Sequence, residues 1–207
     1  MEGLDPRLIA AWRLKAKRQL RQRMRGLRAA LPKSAHAARS RAICERVASL
    51  AEFQRAERIA LFWPMVNKHE TDLRPLDAVA RQANKAIAYP YLERDGTLIH
   101  TGFRWVPDLG GLCERGAGFH EPDLDLPRAS PGEIDLIVLP ALAASEQGYR
   151  LGYGLGFYDV TLPEFRPPAV AVTVCFDFQL VAELPHEEHD IACDLIVTDR
   201  RQIAVQK

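Results

Sequence analysis

The run Ile59-Ala60-Leu61-Phe62-Trp63 is continuously apolar and stops at Pro64, and Ile87-Ala88-Tyr89 repeats it on a smaller scale. Short unbroken apolar runs are what strands covered on both faces require, because neither side meets water. Between the two, Leu73, Leu76, Val79, Ala80 and Ala83 return at helical spacing, opened by Thr71-Asp72 as a cap, with Pro75 admissible in a first turn. Strand, helix, strand demands a crossover, so the strands pair in parallel through a right-handed connection. Similar runs follow at Ile134-Asp-Leu-Ile-Val-Leu139, Val170-Ala-Val-Thr-Val174 and Leu195-Ile-Val197. The expectation is an α/β fold, one three-layer domain over residues 1–207 with a mainly parallel central sheet, binding ligands at the carboxyl ends of its strands.

Upstream of the first run, Leu20, Met24, Leu27 and Leu31 recur at i, i+4, i+7 and i+11, which predicts a helix ended by Pro32. With Ser34 as N-cap, Ile43, Val47 and Leu50 predict a second helix, the two forming an N-terminal helical hairpin. Downstream, the segment from Tyr91 to Ser130 is rich in Gly, Pro and Asp. Its alternating stretch Thr97–Val106 predicts a hairpin, followed by a long irregular loop of the kind that borders sites.

With 207 residues, 47% of them hydrophobic, the chain is globular rather than disordered. No apolar run approaches the roughly 18 to 20 residues of a membrane span, and no secretory signal is visible, so a cytoplasmic protein without a membrane partner is expected. Cys44, Cys113, Cys175 and Cys193 form no C-x-x-C pair and read as free thiols. Net charge is +1, yet Arg7 to Arg28 holds nine Lys or Arg and no acid, an electropositive island to which an anion should come. That segment contains no Ser, unlike a transit peptide. Trp12 and Met24 interleave with its charges as they would in a core-packing helix, so no specific nucleic-acid partner is expected, and a monomer is.

The densest chemical signal is Gly148-Tyr-Arg150-Leu-Gly152-Tyr-Gly154-Leu-Gly156-Phe-Tyr158-Asp159, with four glycines in nine residues. Glycines permit positive φ and expose consecutive N–H groups, so the loop can wrap phosphate oxygens, helped by the dipole of a helix expected after Gly156. It is neither a Walker A loop nor a dinucleotide fingerprint, and a merely structural turn remains open on these residues alone. His186-Glu-Glu-His189-Asp190 is not H-E-x-x-H and reads as a surface loop.

The string R-L-G-Y-G-L-G-F-Y-D at Arg150–Asp159 resembles the R-L-G-x-G-x-G-Y-Y-D signature of the 5-formyltetrahydrofolate cyclo-ligase family. Lys17-Arg18-Gln19-Leu20-Arg21, Met65 to Glu70, and Gln179 through Leu184-Pro185 and Asp190 to Asp194 fall in the family's order. The resemblance implies a NagB/RpiA/CoA-transferase-like architecture, ATP as substrate and Mg²⁺ as cofactor. It implies ATP binding by Lys17, Arg18, Gln19, Leu20, Arg21 and the loop Arg150, Leu151, Gly152, Tyr153, Gly154, Leu155, Gly156, Phe157 and Tyr158. Folate would meet Met65, Glu70, Phe119, Tyr153, Gly154, Leu155, Gly156 and Phe157, the metal Asp159 and Asp190, and Arg150 and Tyr158 would be catalytic. The implied reaction phosphorylates the formyl oxygen, lets N10 attack, and leaves 5,10-methenyltetrahydrofolate. Ala144-Ser145 replaces the usual Phe-Asp, Phe157 a Tyr, and Leu155 a Gly or Lys, which leaves as alternative a divergent paralogue binding nucleotide and a pterin-like ligand without this activity.

Overall fold

The computed structural model describes residues 5–114, 119–187 and 189–206. It opens with α1 (Pro6–Ala29), where Asp5 accepts the Arg7 N–H at 2.9 Å as cap, then α2 (Lys33–Ser49) and the short α3 (Ala51–Arg55). The expected crossover follows: β1 (Arg58–Ala60), α4 (Arg74–Gln82) and β2 (Ala86–Asp95), with β1 and β2 parallel. β2 outlasts its buried half and returns as β3 (Leu98–Trp105), so the alternating stretch Thr97–Val106 belongs to a hairpin as expected but supplies only its second strand, the extended β2 being the first. A two-stranded ribbon, β4 (Leu112–Glu114) and β5 (His120–Pro122), leads to β6 (Leu136–Pro140). After β7 (Ala143–Ser145) and β8 (Arg150–Leu151) come α5 (Phe157–Phe165), β9 (Val170–Val174), β10 (Leu180–Val181), β11 (Leu195–Val197) and β12 (Gln202–Ala204).

The main sheet runs β12-β11-β9-β6-β1-β2-β3, parallel in its inner five strands and closed at each edge by an antiparallel one. Period-two alternation divides its side chains: Ile59, Leu136, Val138 and Val172 pack with α2 and α4, while Ala60, Ile137, Leu139 and Ala171 pack with Leu162 and Phe165 of α5. Helices therefore cover both faces, the three-layer arrangement expected. From β1 the chain moves outward to β2, but from β6 it moves the other way through β9 to β11. The direction reverses between β1 and β6, so the segments leaving their carboxyl ends diverge and open a crevice.

Several details differ from the sequence reading. The two N-terminal helices follow each other across Pro32 but bury against different partners, Met24 of α1 beside β7 and β8, and Ile43 and Val47 of α2 in the core it shares with α4. Leu27 is exposed and Arg28 takes the buried position, because 3.6 residues per turn places i+4 and i+8 beneath Leu20 as well as i+7. Pro32, not Ser34, precedes α2, and Val79 and Ala83 face solvent while Asp77 is buried. Asp72 does accept the Arg74 N–H at 3.1 Å.

α4 is latched to β2 by the buried Tyr89 hydroxyl, which donates to Asp77, and Asp77 also pairs with Arg81 at 3.0 Å. Tyr89→Phe should lower the unfolding free energy by about 1–3 kcal/mol in urea titration, the cost of stripping a donor from a buried carboxylate.

Candidate active site

Between the segments that leave β1 and β6 lies a cavity of about 450 Å³, a size suited to a small ligand. Phe62, Trp63, Pro90, Leu92 and Phe119 give it apolar lining, the loop from Arg150 to Asp159 lines it, and Lys17, Arg21, Met65, Glu70 and Asp190 complete it.

Glu70 is 3% exposed. Its Oε2 accepts the Met65 N–H at 2.8 Å, whereas its buried Oε1 has no hydrogen-bond partner among the described residues. Burial pushes the Glu70 carboxyl above its ordinary 4.5, against the pull of the Met65 N–H, the Arg28 charge and the Tyr153 hydroxyl. The segment is fixed from behind by α2, where His36 Nε2 donates to the Glu70 carbonyl at 2.8 Å. Ser40 Oγ accepts the Asp72 N–H at 3.1 Å, and the Cys44 thiol donates to the Asp72 carbonyl at 3.3 Å. A carbonyl only accepts, so the His36 ring carries a proton on Nε2.

Across the cavity, Gly154 has φ +104°, and a Cβ there would lie 3.5 Å from the Arg21 guanidinium. Arg21 Nε donates to the Gly152 carbonyl at 2.9 Å, which ties α1 to the glycine loop, and the positive φ at position 154 is one that residues with a side chain rarely adopt. Gly156, at φ +67°, starts α5 without a side-chain cap, leaving the helix's first amides and positive dipole end to an anion.

With this geometry in place, relatives can be compared. A sequence model described as the 5-formyltetrahydrofolate cyclo-ligase family matches residues 13–199. The chain belongs to the 5-formyltetrahydrofolate cyclo-ligase family. It is 33% identical over 159 residues to the Escherichia coli 5-formyltetrahydrofolate cyclo-ligase, covering 70% of this chain and 86% of that protein. The Mycolicibacterium smegmatis protein of the same name is 36% identical over 119 residues, 56% of this chain and 61% of its own length, less than two thirds of that relative. The solved structure of Aquifex aeolicus 5,10-methenyltetrahydrofolate synthetase superposes with a TM-score of 0.80 at 28% identity, covering 92% and 93% of the two chains. A Mycoplasma pneumoniae synthetase, at 22% identity and TM-score 0.69, shares the fold. Membership places this chain among ligases of folate chemistry.

Of the residues expected from the resemblance to meet ATP, Arg150 to Tyr158 all line the cavity, and from the N-terminal block Lys17 and Arg21 reach it, one turn apart on one face. Arg18 and Gln19 are exposed and Leu20 packs beside Met24, so these three do not line it. Lys17 Nζ donates to Asp190 at 2.9 Å and to Glu187 at 3.1 Å. Burial opposes that pair, but the hydrogen bonds from Lys17 and the Glu187 N–H outweigh it and hold the Asp190 carboxyl below its ordinary range. Arg150, 5% exposed in its side chain, donates to Asp159 Oδ1 at 2.8 Å and also to the Ile191 carbonyl. The Ile191 N–H donates to the same Oδ1 at 3.2 Å, tying Asp159 to the residue next to Asp190.

Each aspartate thus commits one oxygen to the protein, and the other accepts no hydrogen bond among the described residues. Two carboxylates that each keep an oxygen accepting no hydrogen bond among the described residues, that of Asp190 lying 3.9 Å from His189 Nε2, suit a hard cation that takes its remaining ligands from water and phosphate. Burial pushes the Tyr158 hydroxyl up, with Glu70 adding to it, and raises that of Tyr153 to about 12, so neither ionises near neutral pH.

The departures from the family signature are placed as follows. Leu155 is 71% exposed and belongs to the cavity lining. Ala144 fills the α5 side of the core, and the buried Ser145 Oγ has no hydrogen-bond partner among the described residues, the turn being closed instead by backbone bonds to Tyr149 and Gly148. Phe157 packs edge-on to Phe103 and Tyr158. His186 stacks on Tyr149 at 3.9 Å. The sequence reading missed Arg28 and the His36, Ser40, Cys44 ladder, whose signal was a four-residue repeat of polar groups beside the Ile43, Val47 stripe.

Because the folded pKa of Glu70 lies above the unfolded one, the native state holds the extra proton and the free protein's stability falls as pH rises from about 4.5 through the folded value. Urea titrations across that window should show the decline in wild type. Glu70→Gln should flatten it.

Proposed function

We propose that this chain cyclises 5-formyltetrahydrofolate to 5,10-methenyltetrahydrofolate with conversion of ATP to ADP and phosphate, acting as a single-domain cytoplasmic monomer without nucleic-acid or membrane partners. Among the described residues no helix is long and apolar enough to cross a membrane. The observation that carries the reading is the buried Glu70 carboxylate, which belongs to the cavity lining and whose Oε1 accepts no hydrogen bond among the described residues. A reduced pterin offers an amino and a ring N–H in parallel, and such paired, charge-assisted bonds both orient and hold it.

The formyl group is an amide, and its oxygen is a poor leaving group. Attack of that oxygen on the γ-phosphorus breaks the bond to ADP and forms an iminium-like phosphate ester. N10 then adds to the activated carbon, loses its proton, and expels phosphate that carries away the former formyl oxygen. No protein nucleophile is needed, so the residues act by placement and charge.

Glu70 sets the pterin's depth, and Phe119 and Trp63 flank it as aromatic walls. The amides from Gly152 to Tyr158 and the end of α5 take phosphate oxygens, and Arg21 and Lys17 add positive charge. Arg150 holds Asp159 in place and Tyr158 lines the same wall. Magnesium at Asp159 and Asp190 would supply Lewis-acid neutralisation of the triphosphate.

Purified protein given 5-formyltetrahydrofolate, ATP and Mg²⁺ should develop the near-UV band of the methenyl product. ATP binding without product would favour the divergent-paralogue alternative. Glu70→Ala should weaken folate binding about 100-fold while leaving ATP affinity within about threefold. Asp159→Asn and Asp190→Asn should each lower turnover about 100-fold with folate affinity kept, and chelation of Mg²⁺ should abolish turnover. Near-wild-type turnover in all three variants would show that these residue roles are wrong.

A further inference from the structure

Arg28 holds its charge in a buried position, 2% exposed, on a face of α1 that otherwise carries Leu20 and Met24. Its Nη2 donates both to the Lys68 carbonyl, in the turn that presents Glu70, and to the Tyr153 hydroxyl, in the glycine loop. The guanidinium also lies 5.8 Å from the Tyr153 ring centroid, and Lys68 Nζ covers the same ring at 4.7 Å. One nitrogen atom therefore joins the segment that leaves β1 to the segment that leaves β6, the two that the switch point drives apart.

We propose that Arg28 is a positioning residue that couples the two halves of the site, so that nucleotide in the glycine loop tightens folate binding beside Glu70 and folate tightens nucleotide binding in return. The inference rests on the reading of the site given above. Both Arg28 bonds hold only when both segments are in place. A ligand that orders one segment removes part of the ordering cost of the other, and linkage makes the effect reciprocal. Arg28 touches neither reacting atom and does not line the cavity.

The test is the dissociation constant of 5-formyltetrahydrofolate, measured by calorimetry with and without a non-hydrolysable ATP analogue and Mg²⁺. Wild type should bind at least about fivefold more tightly with the analogue. Tyr153→Phe, which removes one oxygen, and Arg28→Gln should each reduce that ratio below about twofold, and the double variant should reduce it no further. Tyr153→Phe decides the matter if Arg28→Gln does not fold. An unchanged ratio in Tyr153→Phe overturns the proposal, as does a wild-type ratio of one in a preparation that forms methenyl product. No product from wild type, with its ratio intact, overturns the reading of the reaction and leaves the coupling standing.

Discussion

A buried carboxylate with one oxygen that accepts no hydrogen bond among the described residues is the constraint around which this molecule is arranged. Glu70 cannot turn to solvent, because Met65 holds Oε2 and α2 grips the Glu70 carbonyl and the Asp72 peptide groups that follow. Such a group disfavours the free state by about 1–3 kcal/mol or more, a cost that a donor ligand reverses. The sheet makes the arrangement available: at the switch point two chain segments part, and the first, anchored to α2, delivers Glu70 to the gap between them.

The opposite side of the gap is an electrostatic seam made by α1. Lys17, Arg21 and Arg28 stand at i, i+4 and i+11, hence on one face: Lys17 meets Asp190, Arg21 the Gly152 carbonyl of the glycine loop, and Arg28 both Tyr153 of that loop and the Lys68 carbonyl. The helix that began as a charge island thus joins three segments of the site, those of Lys68, of Gly152 and Tyr153, and of Asp190. Its remaining cations, among them Arg13, Arg18 and Arg23, are exposed and raise the potential that an incoming triphosphate meets.

Legibility in the sequence followed the strength of the physical signal. Buried parallel strands leave unbroken apolar runs, so five of the seven strands of the main sheet, the crossover helix and the hairpin could be read from residues alone. β12 is short and alternates exposed residues around Ile203, so its run is no different from a loop's. The first strand was read too long, since Phe62 and Trp63 are apolar for the cavity rather than for the sheet. The glycine loop and its helix were legible because glycine spacing is a backbone property. Arg28 was not, since a search for apolar periodicity assigns the stripe to Leu27 and passes over a charge at the adjacent i+4 position. The four-residue repeat of His36, Ser40 and Cys44 marks a shared helix face, but their contacts depend on which tertiary neighbour lies opposite, and that the repeat does not carry.

The most direct measurement is the titration of the Glu70 carboxyl itself, followed by NMR with ¹³C-labelled glutamate side chains and assigned with Glu70→Gln, in free protein and with 5-formyltetrahydrofolate bound. A carboxyl that titrates above the ordinary 4.5 when free and drops once the ligand donates to Oε1 is the predicted result. An ordinary value in the free protein, unmoved by the folate, would contradict it.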